Sequence, residues 1–421
     1  MVRIKPFRGI RPREDLAAKV SALPYDVMNR GEAAAMAAGN QNSILRITRA
    51  EVDLPPEIGD YDDRVYERGK ENLHSFLQEG VLKKEEKPVF YIYREIMNGK
   101  SQTGIVATFA TEDYENNTIL KHELTRKEKE MDRIRHFDAC DCQTEPVFLT
   151  YRRRRDIDEL VAAWITSHDA VYDFVAADQV THLLWLVDDE VMIEALREAF
   201  GKLDKAYIAD GHHRTASAVA VGKMRKGQGT PEGKDSPAQH FMAVIFPDQD
   251  LLIMEYNRVV TVGADFDAPA FLKQLALKFS VEKLKGDFLP AKKHEFGVYI
   301  GGSWYRLIAK PELYQNEDIA ENLDAAILQK NVLGPLLAIE DPRTDQKIDF
   351  IGGIRGNGEI VGRCAEGNCI GFHLYPVEIA DLMSIADHGK IMPPKSTWFE
   401  PKLRSGLFLH SLEEDTESKE K

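Results

Sequence analysis

Helix-length and strand-length hydrophobic patterns are interleaved along this chain. Apolar runs of strand length at Val89 to Ile96, Gly104 to Phe109 and Pro146 to Tyr151 stand beside amphipathic stretches of helix length, of which Tyr61 to Val81 is the clearest. Asn98-Gly99, between the first two runs, is a hairpin signal, because both central residues of a type I′ turn need positive φ. Interleaved helices and strands with hairpins predict an α+β or mixed α/β fold rather than a regular doubly wound sheet.

At 421 residues the chain is too long for one ordinary core, and its composition predicts three regions. Residues 1–150 read as an N-terminal α+β region. Its first sixty residues are broken by Pro6, Gly9, Pro12, Pro24, Gly31, Pro55 and Pro56, which excludes long helices there. Thr125 with Glu128 three residues on is a capping box, predicting a helix from there to Phe137. Residues 151–262 open on Arg152 to Arg155, a solvated helix start or loop. They continue with strands at Ala170 to Ala176 and His182 to Val187, a helix over Asp188 to Leu203, and a short strand Ala206 to Ile208 before an Ala-rich helix, Thr215 to Met224. Lys226 to Pro237 reads as a polar connector, and strands at Phe241 to Phe246 and Leu251 to Tyr256 close the region. Residues 263–421 carry helices near Phe266 to Phe279, Asp318 to Val332 and Val377 to Asp387, a hairpin at Gly301-Gly302, and a polar tail from Glu413 expected to fray.

Composition excludes several classes. Hydrophobic residues at 43 % and charged residues at 29 % rule out wholesale disorder. A net charge of −14 counts against nucleic acid as a partner, while leaving room for a local pocket that takes a small anion. Cys140 and Cys142, then Cys364 and Cys369, lack the spacing of a zinc knuckle and are read as reduced thiols. No apolar h-region opens the sequence, and no run approaches the roughly 18 apolar residues of a membrane span. The expectation is a soluble, cytoplasmic protein that leaves a homo-oligomer open.

The sharpest constellation is Asp210-Gly211-His212-His213-Arg214, followed by Thr215. A strand ending in a glycine turn that opens a helix aims backbone N–H groups and the positive helix end at one spot, where an anion is favoured. Arg214 offers a planar fork of donors suited to phosphate oxygens, and His212 and His213 add donors. Asp210 is placed to hold a magnesium ion or to accept a proton from a substrate hydroxyl. The competing reading has Asp210 capping the helix and Arg214 pairing with a surface acid.

Two further segments are candidates. Lys121-His122-Glu123 puts an imidazole and a carboxylate next to a helix start, a combination suited to proton transfer beside an anion, or simply an exposed polar approach to a helix. Met392-Pro393-Pro394-Lys395-Ser396-Thr397 presents a lysine and two hydroxyls from a stiff segment, either a phosphate clamp or a structural crossover. Asp132 and Arg133 are read as surface pairs on the helix after Thr125, and Pro24-Tyr25-Asp26 as a stiff turn.

The strand–loop–helix with its DGHHRTA string resembles the phosphate loop of the ParB and sulfiredoxin-like superfamily, and its letters are most similar to the free-serine kinase branch. The chain as a whole resembles the domain-of-unknown-function-1015 family. Leu23 to Val27, Lys121 to Glu123 with Thr125, Asp132-Arg133, Ile208 to Arg214, and Asp387 to Gly406 carry that resemblance. It implies a ParB/sulfiredoxin-like phosphate-loop core elaborated by additional α+β segments. The kinase branch implies a phosphotransferase acting on a hydroxyl, with ATP or ADP as co-substrate and Mg²⁺ as cofactor. In that reading Asp210, Glu123 and His122 do the proton chemistry. Gly211, His212, His213, Arg214, Thr215, Lys395, Ser396 and Thr397 hold phosphate, and Asp210 holds the metal. A phosphatase, or a nucleotide or phospho-metabolite sensor without turnover, would use the same cradle.

Overall fold

The computed structural model describes residues 1–226, 236–365 and 368–414. Most of the polar connector read at Lys226 to Pro237, and the tail beyond Glu414, lie outside the described residues. The chain divides into two compact units. Unit 1 comprises Met1–Lys121, Thr125–Leu251 and Pro401–Lys421, and unit 2 comprises His122–Leu124 and Leu252–Glu400.

Unit 1 is built on a nine-stranded mixed sheet. Its strands in chain order are β1 (Ile4–Lys5), β2 (Phe90–Met97), β3 (Lys100–Ala110), β4 (Ile119–Leu120), β5 (Val147–Tyr151), β6 (Tyr172–Val175), β7 (Thr181–Val187), β8 (Ala206–Asp210) and β9 (His240–Pro247). They lie side by side as β4-β8-β5-β9-β3-β2-β7-β6, with β1 added on β3. Residues before and after position 150 therefore share one sheet. The run HFMAVIFP of β9 is buried throughout, as expected of a strand placed mid-sheet between a parallel partner, β5, and an antiparallel one, β3. The β2–β3 hairpin turns at Asn98 and Gly99 with φ of 51° and 77°, as the dipeptide predicts. Phe90, Ile92, Ile105, Phe109, Leu149 and Phe241 belong to the core that this sheet builds.

Helix α1 (Asp63–Gln78) is capped by the Asp62 carboxylate on the Arg64 N–H and buries Val65, Leu73 and Phe76 as helical spacing predicts, together with Tyr66, whereas Tyr61 precedes the helix and is exposed. Helix α2 (Lys127–Cys140) corrects the capping-box expectation. The Thr125 hydroxyl bonds Glu130 at 2.7 Å instead of a backbone amide, and Arg126 is the extended residue at the helix start. Asp132 and Arg133 on this helix are interior, at 6 % and 4 % exposure, not the surface pair read from sequence. The Arg152–Arg155 run behaves as expected: Arg155 opens the helix Arg155–Ser167, and Arg153 and Arg154 pair with Asp158 and Asp156.

Unit 2 contains a six-stranded sheet of β10 (Tyr256–Thr261), β11 (Phe279–Lys283), β12 (Glu295–Ile300), β13 (Ser303–Ala309), β14 (Ile348–Gly352) and β15 (Cys369–Leu374). They are ordered β11-β13-β12-β15-β10-β14, every neighbour antiparallel. The single helix predicted over Asp318 to Val332 is broken. A 3-10 turn Ile319–Asn322 is cut off by the extended Leu323, and α-helical Asp324–Leu328 then widens into a π turn over Gln329–Leu333. The thiol expectation is corrected for one pair. Cys364, at the end of the helix Gly356–Cys364, and Cys369, opening β15, have Cα atoms 5.0 Å apart and form a disulfide. Cys140 and Cys142 are free and buried.

His136, His410 and His182 of unit 1 are each buried with a partner suited to the neutral ring. His136 bonds the Ile47 carbonyl, His410 bonds the Pro237 carbonyl, and His182 lies between the Tyr93 hydroxyl and the Arg404 guanidinium. Burial pushes His136 and His410 down to about 4, and burial followed by Arg404 pushes His182 down to about 3. The unfolded chain therefore takes up protons first, below about pH 6.5, and the native state must lose stability as pH falls from there toward 4. Urea unfolding at pH 7.5, 6 and 5 should give a falling unfolding free energy, and His410→Gln should flatten that fall.

Candidate functional site

Strand β8 runs antiparallel to β5, with Tyr207 opposite Thr150 and Asp210 opposite Phe148, and the register shifts between Ile208 and Asp210. The segment that leads into β5, Glu145-Pro146, therefore lies beside the point where β8 ends. Gly211 turns the chain there at φ +92°, a conformation that disfavours any side chain, and helix α3 (His212–Lys226) starts at the next residue. The Thr215 hydroxyl and amide both return to the Gly211 carbonyl, at 3.1 and 2.9 Å, and fasten the turn.

Asp210 sits at the strand's end. One oxygen accepts from the Gly211 N–H at 2.7 Å and the other from the Lys402 ammonium at 2.9 Å. The Arg214 guanidinium stands 3.8 Å from the first oxygen. Burial works to raise this carboxyl, but Lys402 and then Arg214 outweigh it and hold Asp210 well below the usual carboxylate range. An acid so firmly ionised is a poor proton acceptor.

Arg214 is 3 % exposed and points inward. It donates to the Pro146 carbonyl, and its guanidinium packs over Gly211 so closely that a Cβ there would lie 3.0 Å from Nε. Nε itself has no hydrogen-bond partner. Burial opposes the charge, and Asp26, Asp210 and Glu145 more than restore it. The reading of Arg214 as paired with a surface acid gives way to a buried arginine set among three carboxylates. His213 accepts from the Arg126 N–H at 2.9 Å and so supplies the cap of α2 that Thr125 does not. His212 and Thr215 are buried beside it.

Behind the turn lies a second layer of buried charge. Glu145 accepts from the Tyr25 amide at 3.0 Å and the Ser405 hydroxyl at 2.7 Å on one oxygen, and from Arg133 at 3.5 Å on the other. Arg133 stacks on the Tyr25 ring at 4.0 Å and pairs with Asp132, which the Tyr66 hydroxyl also bonds. Tyr25, Asp132-Arg133, Asp210 to Arg214 and Lys402 to Ser405 thus converge, although they are spread over most of the chain. Glu145 and Lys402 are the participants sequence reasoning passed over. Glu145 carries no signal beyond a carboxylate before a strand, while Lys402 sits within the closing run already singled out.

Of the other candidates, His122, Glu123, Lys395, Ser396 and Thr397 belong to unit 2. The His122 carbonyl accepts from the Met392 N–H at 2.8 Å, which joins the segment of His122 and Glu123 to the start of the Met392–Thr397 run. Ser396 is buried and its hydroxyl donates to the Pro393 carbonyl at 2.6 Å. Lys395 is exposed at φ 58° with its ammonium 5.6 Å from the Tyr256 ring, and Thr397 is half-buried. A resident metal site does not fit the turn. Both Asp210 oxygens are engaged, and no group of three His, Cys, Asp or Glu gathers among the described residues.

Residues 4–326 match the family described as protein of unknown function (DUF1015). The chain belongs to that family. Among curated proteins no relative matches it. Solved structures similar to this DUF1015 member include SbnI with C-terminal truncation from Staphylococcus aureus. That alignment has 10 % identity and a TM-score of 0.40, over 74 % of this chain and 90 % of that one. A free serine kinase in complex with ADP aligns at 12 % identity and a TM-score of 0.36, over 72 % of this chain and 92 % of that one. The same kind of kinase in complex with AMP aligns at 12 % and 0.35. Likenesses of this size decide nothing about the chemistry here. No helix among the described residues is long and apolar enough to cross a membrane.

Removing Arg133 would leave Asp132 and Glu145 as uncompensated buried charges. Arg133→Met should lower the unfolding free energy by about 3–5 kcal/mol in urea titration. Arg133→Met combined with Glu145→Gln should recover part of that loss.

Proposed function

We propose that this protein is a nucleotide-using phosphotransferase whose phosphate-binding element is the Asp210–Arg214 turn, acting on the hydroxyl of a small molecule. The observation that carries the reading is the left-handed Gly211 between the end of β8 and the start of α3, with Lys402 and Arg214 beside it. Such a turn supports an anion through first-turn amides and the positive helix end. Transfer of a phosphoryl group asks for positioning and charge stabilisation more than for covalent machinery.

Within this reading Gly211, His212, His213 and Thr215 shape the cradle. Lys402 is the cation that a phosphate would compete for against Asp210, and Arg214 acts as a positioning residue that braces the turn from beneath. Asp210 serves to orient donors rather than to take a proton, given its depressed pKa. Mg²⁺ would arrive with the nucleotide's own phosphates, since the turn lacks a protein cage for it. One observation favours a nucleotide sensor without turnover: Asp210 is held ionised and His213 already accepts the Arg126 amide, so neither is a ready base.

Mixing the protein with ATP or ADP, Mg²⁺ and a panel of hydroxyl amino acids should give a new phosphomonoester signal in phosphorus NMR. Nucleotide-dependent thermal stabilisation without that signal would establish the sensor. Gly211→Ala puts a Cβ against the Arg214 guanidinium at a φ that resists it. It should abolish nucleotide-dependent stabilisation while circular dichroism reports an intact fold.

A further inference from the structure

A cavity of about 380 Å³ in unit 2 is lined by an arginine that forms no ion pair with a carboxylate among the described residues. Arg258, on β10 opposite Phe350 of β14, is 3 % exposed. Its guanidinium donates to the Tyr256 carbonyl and, at 3.1 Å, to the Lys395 carbonyl, and it lies 5.5 Å from the Phe350 ring. Among the described residues no carboxylate pairs with it. Burial pushes it down to about 10, ahead of the opposing pull of Tyr256 and Asp324. A buried guanidinium held only by carbonyls is costly, and a bound carboxylate would satisfy it bidentately.

Gln329, on the lining of the same cavity, carries an orphan acceptor. Gln329, in the π turn, donates through Nε2 to the Ile339 carbonyl at 2.7 Å, which fixes the orientation of its amide, and its Oε1 is buried with no hydrogen-bond partner. Leu333, Phe350, Pro393 and Pro394 supply apolar wall, and the exposed Glu340 stands on the lining. The lining cations other than Arg258 are already matched: Lys330 pairs with Glu321, and Arg343 with Asp341 at 2.7 Å.

We propose that this cavity is a binding site for a free α-amino acid, with its carboxylate on Arg258, its ammonium on Gln329 Oε1 and the Glu340 side, and its side chain against the proline and phenylalanine wall. Among the described residues, one cation without an acid partner beside one unmatched acceptor and an exposed acid is complementary to a zwitterion. A dianionic phosphate would meet the exposed Glu340, with Arg258 the one lining cation not already paired with an acid among the described residues. The site also gives a role to Pro393-Pro394, whose stiffness keeps both the wall and the Lys395 carbonyl that steadies Arg258 in place. The inference does not rest on the phosphate turn of unit 1: a chain that ignores nucleotides and still binds an amino acid leaves it standing.

The test is a thermal-shift screen of the full chain against the twenty free amino acids, followed by calorimetric titration of the best. At least one should bind, while the matching amine that lacks the carboxylate and inorganic phosphate should not. Arg258→Lys should weaken binding roughly tenfold or more, because a bidentate fork is lost at a buried site. Should that variant fail to fold, Glu340→Gln, which alters an exposed side chain, carries the test with an expected loss of several-fold. Silence across the panel, equal binding of the amine, tighter binding of phosphate, or unchanged affinity in whichever of these variants folds would each overturn the assignment.

Discussion

The carboxylate of Glu145 is the point on which the charged interior of unit 1 depends. It receives the Tyr25 amide, the Ser405 hydroxyl and the Arg133 guanidinium, and its field helps keep Arg214 charged beneath the Gly211 turn. Each of these groups comes from a different part of the chain, so one buried acid ties the first thirty residues, helix α2, the β8–α3 turn and the C-terminal return into a single network. Such a network is high-stakes: satisfied, it specifies one arrangement, and broken at one member, it leaves charge stranded in a low dielectric. Any ligand chemistry at the Asp210–Arg214 turn takes place on this support.

The two arginines that matter most illustrate different solutions to the same physical problem. Arg214 is surrounded by carboxylates and packs over a glycine, so its charge is offset within the protein and its job is to hold the turn. Arg258 in unit 2 is equally buried but meets carbonyls and a ring rather than acids. Carbonyl dipoles relieve only part of the cost of a buried charge, and the remainder is what makes Arg258 a place for a ligand. Sequence inspection weighted Arg214 as the phosphate clamp and passed over Arg258, because the former follows a glycine and the latter sits in an unremarked strand.

Much of the fold was readable. Asn98-Gly99 marked a hairpin because few other dipeptides adopt two successive positive φ values, and the apolar face of Tyr61 to Val81 marked α1 because burial follows helical spacing. What misled was local chemistry that tertiary contacts overrode. Thr125 and Glu128 spelled a capping box, yet His213 from another helix took the amide at the start of α2, and Thr125 turned to Glu130. The stretch from Asp318 to Val332 has helical composition throughout but breaks at Leu323 and widens into a π turn at Gln329.

Residue order alone determined that a short strand would run into Asp210 and a glycine would turn the chain toward a helix, since those outcomes depend on φ preferences and hydrophobic period within a dozen neighbouring positions. It also determined which short runs merit attention, because unusual neighbours such as Pro393-Pro394-Lys395 are visible as letters. Only the tertiary structure decided that Asp132 and Arg133 face inward, that Glu145 is their partner, and that Lys402 reaches Asp210 across 192 positions of chain. The reason is physical. The energy of a buried charge depends on which opposite charges and dipoles are packed within a few ångströms of it, and that set is chosen by how distant segments meet.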